Sequence, residues 1–167
     1  MGGTDTRAIA IRATTSDDLP AVDALLARSY PALLKRDYPP SLMVTAVPLL
    51  ARARPELVSS GTYYIAEDAV GRALAVGGWT PRRRVAHRGE IRHLATDPAA
   101  VRRGIGGALL AHALAEAARC GLRHLDCLST RGAVAFYRAA GFVETGTRLV
   151  PLAPGIEFPV VAMVRRL

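Results

Sequence analysis

From Arg102 the chain reads Arg-Arg-Gly-Ile-Gly-Gly, and an apolar stripe begins at Ile105. A strand that feeds such a turn and then a helix makes an anion site. The first helical amides have no intrahelical partner, and the helix dipole adds partial positive charge there. Glycines keep side chains out of the way of a phosphate. Gly104, Gly106 and Gly107 suit that use, with Arg102 and Arg103 adding full charges. Ala108 follows Gly107 where a Walker motif needs Lys then Ser or Thr, and Leu109 replaces the third glycine of a dinucleotide fingerprint. The pattern therefore points to a phosphate-bearing ligand outside those two classes.

Other reactive residue types are sparse. Cys127 lies on an alternating apolar strand and is expected to be a small core residue. His124 and Asp126 share a strand face but have no third ligand at metal spacing, so no metal is expected. His112 falls on a long helix, as a surface or packing residue. Cys120 and Cys127 form no CxxC, which argues against zinc or a disulfide scaffold and for a reduced, cytoplasmic protein.

These groups must be positioned by alternating elements. Arg7 to Ala13 is expected as a first strand. Ser16-Asp17-Asp18 then starts a helix whose apolar face carries Leu19, Val22, Leu25 and Leu26. Ser41 to Leu57 is expected to be helical with a break at Pro48. Tyr63–Glu67 and Arg72–Trp79 are expected as a hairpin, and Glu90–Thr96 as a further strand. A helix from Ile105 buries Leu109, Leu110, Ala113, Leu114 and Ala117, and stops at Gly121. Leu122–Leu128, a helix over Arg131–Ala140, and strands over Val143–Leu149 and Phe158–Val164 complete the order.

The segment IRHLATDPAAVRRGIGGALL, residues 91–110, resembles the acetyl-CoA motif of the GNAT N-acyltransferases, Q/R-x-x-G-x-G/A. Gly104 and Gly106 match its glycines, and Val101 stands in place of its first Gln or Arg. GAVAFYRAAGFVETG, residues 132–146, resembles the second motif of that family at Ala133, Phe136, Tyr137, Gly141 and Phe142, with Thr130 where Asn is common. The resemblance implies an α/β fold of mixed α+β type. Its central sheet is mostly antiparallel, splays at the CoA site and has flanking helices. It also implies acetyl-CoA as co-substrate. The main chain of Leu94, Ala95 and Thr96 would face the pantetheine arm and polarise the thioester carbonyl. The amides of Arg102, Arg103, Gly104, Ile105, Gly106 and Gly107 would hold the pyrophosphate.

The same resemblance puts Tyr137 at the general acid that protonates the departing thiolate, and Glu90 at a carboxylate base. His93 and His87 rival Glu90, since each has a suitable ordinary pKa. On an undistorted strand His93 faces away from Glu90, and a bulge would change that. The implied activity is N-acetyl transfer to a primary amine of a small molecule or protein. A non-catalytic acyl-CoA sensor is the alternative. Dimerisation is common in the family, so a homodimer is a further expectation.

Composition narrows the field. The chain has 167 residues, half of them apolar, which suits one domain over residues 1–167 and excludes a disordered chain. No signal peptide or membrane-spanning segment is expected. The net charge is +8, and of its 22 basic residues only Lys35 is a lysine. Seven arginines lie between Arg82 and Arg103 against Glu90 and Asp97. Arginine forks suit phosphates. The absence of interleaved aromatics argues against nucleic acid as the polyanion. The Arg82-Arg83-Arg84 loop is also a candidate for binding a carboxylate on the acceptor. The acceptor pocket is expected from the segment Ser29 to Ser60 together with the Arg82–Arg88 loop, with Tyr30, Tyr38, Tyr63 and Trp79 as candidate lining residues.

Overall fold

In the computed structural model, which describes residues 8–167, seven strands form one sheet in the order β1-β2-β3-β4-β5-β7-β6. The strands are β1 (Ala10–Ala13), β2 (Tyr63–Glu67), β3 (Ala73–Pro81), β4 (Arg88–Thr96), β5 (His124–Ser129), β6 (Val143–Ala153) and β7 (Ile156–Arg166). Every neighbouring pair is antiparallel except β4 and β5. That parallel pair needs a crossover, and helix α5 (Ile105–Arg119) supplies it. This is the mixed, mostly antiparallel sheet expected from the sequence.

Both faces are covered. The stripe of α5 at Ile105, Leu109, Leu110, Ala113, Leu114 and Ala117 is buried against Tyr64, Leu74, Trp79 and Leu125. Helix α6 (Val134–Ala139) adds Tyr137 to that core. On the other face α1 (Leu19–Leu34) buries Val22, Leu25 and Leu26 against Ile65, Val76 and Ala95. A third cluster joins Leu34 and Tyr38 to Val47, Phe158 and Val160.

Several boundaries differ from expectation for local reasons. Arg7 lies outside the described residues. The first helix is preceded by a 3₁₀ turn at Ser16–Asp18, capped by Thr15, whose amide donates to Asp18 Oδ2 at 2.7 Å. The interrupted helix over Ser41–Leu57 is instead three short ones: α2 (Pro40–Thr45), α3 (Val47–Leu50) and α4 (Pro55–Val58). Pro48 causes no break, because it sits in the first turn of α3, where its missing N–H costs nothing. The chain breaks at Ala46 and at Ala51–Arg54. The segment after Gly121 joins the sheet only at His124, since Leu122 still donates to Ala117 O of α5 at 3.1 Å. The last two strands run longer than expected and form a hairpin that turns at Gly155, with φ +74°.

One close approach sets the packing of β3. A Cβ placed on Gly78 would lie 2.1 Å from Thr62 O and 2.6 Å from Tyr63 Cα, both backbone atoms that cannot yield. Gly78→Ala is expected to destabilise the protein by about 3 kcal/mol, the upper end of ordinary overpacking costs. Urea or thermal unfolding checks it, and an unchanged midpoint would refute the tight packing.

Candidate active site

Strands β4 and β5 pair over only three residues each, Arg88–Glu90 with His124–Asp126. Beyond that apex they part. The opening is a cavity of about 740 Å³ whose walls include Ile91 to Thr96, Cys127, Leu128 and the N-terminus of α5. A β-bulge shapes the β4 side. Val76 pairs with Ala95 and Gly78 with Arg92, so His93 and Leu94 together oppose Gly77. His93 adopts φ +43° to make the extra residue fit. Gly77 is required there, because a Cβ on it would meet Leu94 at 2.9 Å.

At one end of the cavity lies the turn into α5. Asp97 is buried and organises it. Its carboxylate accepts from the Ala99 amide at 2.9 Å and from Arg28 at 2.9 Å, with Arg72 3.6 Å away. Burial works to raise its pKa, but the Ala99 amide and Arg28 outweigh it and hold the group below the usual carboxylate range. Gly104 caps α5 in the left-handed conformation, φ +76°. Ala108 is the first amide bonded back to Gly104, at 3.0 Å. The N–H groups of Ile105, Gly106 and Gly107 are therefore free for an anion. The two glycines serve different ends. A Cβ on Gly106 would meet Thr96 Oγ1 at 2.9 Å, whereas one on Gly107 would project into open space. Arg102, Gly104, Ile105, Gly106 and Gly107 line the cavity; Arg103 is exposed beside it.

Tyr137, Cys127, Tyr30 and His93 line the same cavity. Tyr137 is buried, with Phe136 and Phe142 packed edge-on against its ring. Burial, reinforced by Cys127, raises its pKa well above the usual value, so its hydroxyl keeps its proton. Burial likewise pushes the Cys127 thiol up to about 12, which leaves it a neutral packing group. His93 has its carbonyl pinned by Tyr63 Oη at 2.9 Å. Its Nδ1 is buried without a partner among the described residues. Burial first, then Arg92 and Arg54, push its pKa down to about 4, against an opposing pull from Glu56.

The structure thus brings Leu94, Ala95, Thr96, most of the glycine turn and Tyr137 to one cavity. Glu90 stands apart. It pairs in register with Thr80 and Asp126 on the sheet face and is not among the cavity walls. Asp126 is no metal ligand: Arg88 grips it through Nε at 2.8 Å and Arg82 at 2.9 Å. Among the described residues no group of three or more His, Cys, Asp or Glu could hold a metal. No described helix is long and apolar enough to cross a membrane. Two participants escaped sequence reasoning. Ser29 lines the cavity, and its Oγ donates to Thr96 O at 2.8 Å. Its spacing from Val22, Leu25 and Leu26 puts a polar residue on an apolar stripe, which was the available signal. Asp97 had only the signal of an Asp-Pro turn.

Residues 59–144 match the model of the acetyltransferase (GNAT) domain, which is half of the chain. No curated protein matches the sequence. Among solved structures, a GCN5-related N-acetyltransferase from Rhodopseudomonas palustris is 20% identical with a TM-score of 0.82, over 99% of this chain and 100% of that one. The PaiA N-acetyltransferase of Thermoplasma acidophilum, solved with coenzyme A, is 15% identical with a TM-score of 0.73, over 96% and 99%. A ribosomal-protein-alanine N-acetyltransferase from Brucella melitensis is 23% identical with a TM-score of 0.66, over 95% and 99%. These likenesses concern the fold. The splayed sheet, the glycine turn and the domain match agree, and the chain belongs to the GNAT family of acetyl-CoA-dependent N-acetyltransferases.

Proposed function

We propose that this single-domain enzyme moves the acetyl group of acetyl-CoA directly to a primary amine. The observation that carries the reading is one cavity with an anion-binding turn at one end and two neutral proton carriers, Tyr137 and His93, beyond it. In this scheme the pyrophosphate lies on the amides of Ile105, Gly106 and Gly107, beside Arg102 and Arg103. The pantetheine arm follows Leu94 to Thr96, whose cavity side has no β5 partner. A main-chain N–H near Leu94 or Ala95 polarises the thioester carbonyl. The amine nitrogen bonds to the acyl carbon as the C–S bond breaks. Tyr137 gives its proton to the leaving sulfur, and His93 takes one from the amine. Glu90, the carboxylate near the start of β4, would serve this scheme through water, since His93 and not Glu90 lines the cavity.

The cofactor end is tested by its two unlike glycines. Gly107→Ala adds a methyl where the phosphate lies, without a clash in the protein. It is expected to hold or slightly raise stability while weakening CoA at least tenfold by calorimetry. Unchanged CoA affinity would move the phosphate elsewhere.

The chemical end is tested by Tyr137→Phe. Turnover is expected to fall on the order of 10²-fold, with CoA affinity retained, because a positioned proton donor contributes about that much. Unchanged turnover would remove the acid role.

The His93 imidazole is expected to titrate near pH 4 by NMR rather than near its ordinary value, because its folded pKa is depressed to about 4. The sign follows: the folded protein resists protonating His93, so stability is lost as pH falls below the unfolded value and the loss saturates below about 4. His93→Gln should remove that part of the acid sensitivity and lower turnover. If Glu90→Gln is the variant that abolishes turnover while His93→Gln leaves it intact, the base is Glu90.

A further inference from the structure

Register places Arg88, Glu90 and Arg92 of β4 on the same sheet face as Asp126, because Glu90 aligns with both Thr80 and Asp126. The bulge resets the alternation, so that Arg92 and Ala95 also share that face, with His93 between them. Two apolar clusters occupy parts of it, one under α1 and α4 and one around Tyr38 and Phe158. The strip formed by Arg88 to Arg92 and by Asp126 belongs to neither, and Arg88, Glu90 and Arg92 are half-buried there.

The charges on this strip do not balance. Asp126 is saturated by Arg88 and Arg82. Arg148 also stands near Asp126, and Arg54 and Glu56 stand near His93. Arg92 has one weak partner, Thr80 Oγ1 at 3.3 Å, and no ion pair involves Arg92, Arg54 or Arg148 among the described residues. Guanidiniums outnumber carboxylates beside an amine-accepting centre. A purely cationic acceptor would be repelled there. An acceptor that carries its own anion would not.

We propose that the acceptor is a small amine bearing a carboxylate, with the carboxylate on Arg92 and the nitrogen at His93. The proposal rests on the reading of acetyl transfer to an amine given above. Arg92 is not itself a cavity wall, but it adjoins His93 in the chain and its charge acts on the imidazole, so an acceptor that meets both carries its two groups a few bonds apart, as in an amino acid. A planar guanidinium fork suits a carboxylate in two-point contact. The arrangement also gives the acceptor a role in its own activation. Burial first, and then Arg92 and Arg54, hold the imidazole weakly basic. A carboxylate on Arg92 offsets that charge and raises the affinity of His93 for a proton when the amine arrives. The groups that bear on the imidazole are Arg92 of β4, Arg54 just before α4 and Glu56 of α4, with Tyr30, Tyr137 and Cys127 around the same cavity.

The test separates binding from turnover. Calorimetry with CoA-loaded protein compares N-acetyl-L-alanine, N-acetyl-L-leucine and N-acetyl-L-phenylalanine with their neutral amides. The expected result is at least tenfold tighter binding of a carboxylate than of its amide, with the difference abolished in Arg92→Gln. The His93 imidazole pKa, followed by NMR, should rise on adding the carboxylate and not the amide. Equal binding of acid and amide, no binding of any probe, or a preference that survives Arg92→Gln overturns the proposal. Thiol release from acetyl-CoA with diamines and aliphatic monoamines is measured alongside. Turnover there without carboxylate preference in the probes leaves acetyl transfer standing and removes only the acceptor class. A protein that binds CoA yet transfers acetyl to none of the amines or the free amino acids fails on the broader reading instead.

Discussion

The structure depends on a parallel strand pair that stops after three residues. Strand β4 runs on from Glu90 to Thr96, and β5 from Asp126 to Ser129, without each other. Main-chain groups facing the gap lose the partners that a continuous ladder would supply, which is costly unless something else satisfies them. A ligand rich in amides and carbonyls is the natural occupant. The wedge is held from both ends. At the apex, Asp126 of β5 is clasped by Arg88 of β4 and by Arg82 from the loop before it. At the mouth, Ser29 of α1 bonds the Thr96 carbonyl, and Arg28 reaches Asp97. Helix α1 therefore braces β4 away from β5, while the apolar face of α5 packs behind it.

This bracing explains where the positive charge goes. The arginine-rich stretch from Arg82 to Arg103 is divided by the fold into separate tasks. Arg82 and Arg88 are spent internally on Asp126. Arg102 and Arg103 remain at the glycine turn, the proposed phosphate site. Arg92 stays on the open strip beside His93, with only Thr80 for a partner. A single basic block in the sequence thus becomes one structural clasp, a pair of arginines at the glycine turn, and three arginines, Arg83, Arg84 and Arg92, with no ion pair among the described residues.

Much of this was legible in the sequence, and the rest had physical reasons to be hidden. The glycine turn and the α5 stripe are local patterns, so their place could be read from spacing alone. The Phe-Tyr pair of α6 was legible as a motif. The role of Ser29 and the isolation of Glu90 were not, since both depend on which strands meet and for how long. His93 is the clearest case. Simple alternation sets it opposite Glu90, but the extra residue in β4 and a left-handed φ turn it into the cavity wall. Nothing in the residues around it announces a bulge, apart from Gly77 on the neighbouring strand, which must yield to Leu94. The segment over Ser41–Leu57, expected to be helical with one break at Pro48, is three short proline-led helices between Pro40 and Val58; the apolar spacing runs on across the true breaks and hides them.

The two ends of the cavity use opposite electrostatic strategies. The glycine-turn end is exposed and carries full charges that would act on a polyanion at a distance. The reacting end is buried, and burial drives each of its titratable groups to the neutral form: Tyr137 and Cys127 upward, His93 downward. A site made of neutral groups in a low-dielectric pocket has little charge of its own to solvate, so it responds strongly to any charge a substrate brings. Proton transfer there is governed by what enters. In the proposed scheme the thiolate that forms at the sulfur would draw the Tyr137 proton, and the positive charge that develops on the attacking nitrogen would turn a weakly basic imidazole into an adequate acceptor. On this proposal the strand divergence would supply more than space for a cofactor arm: by keeping Tyr137 and His93 dry and uncharged, it would tie their chemistry to the arrival of both substrates.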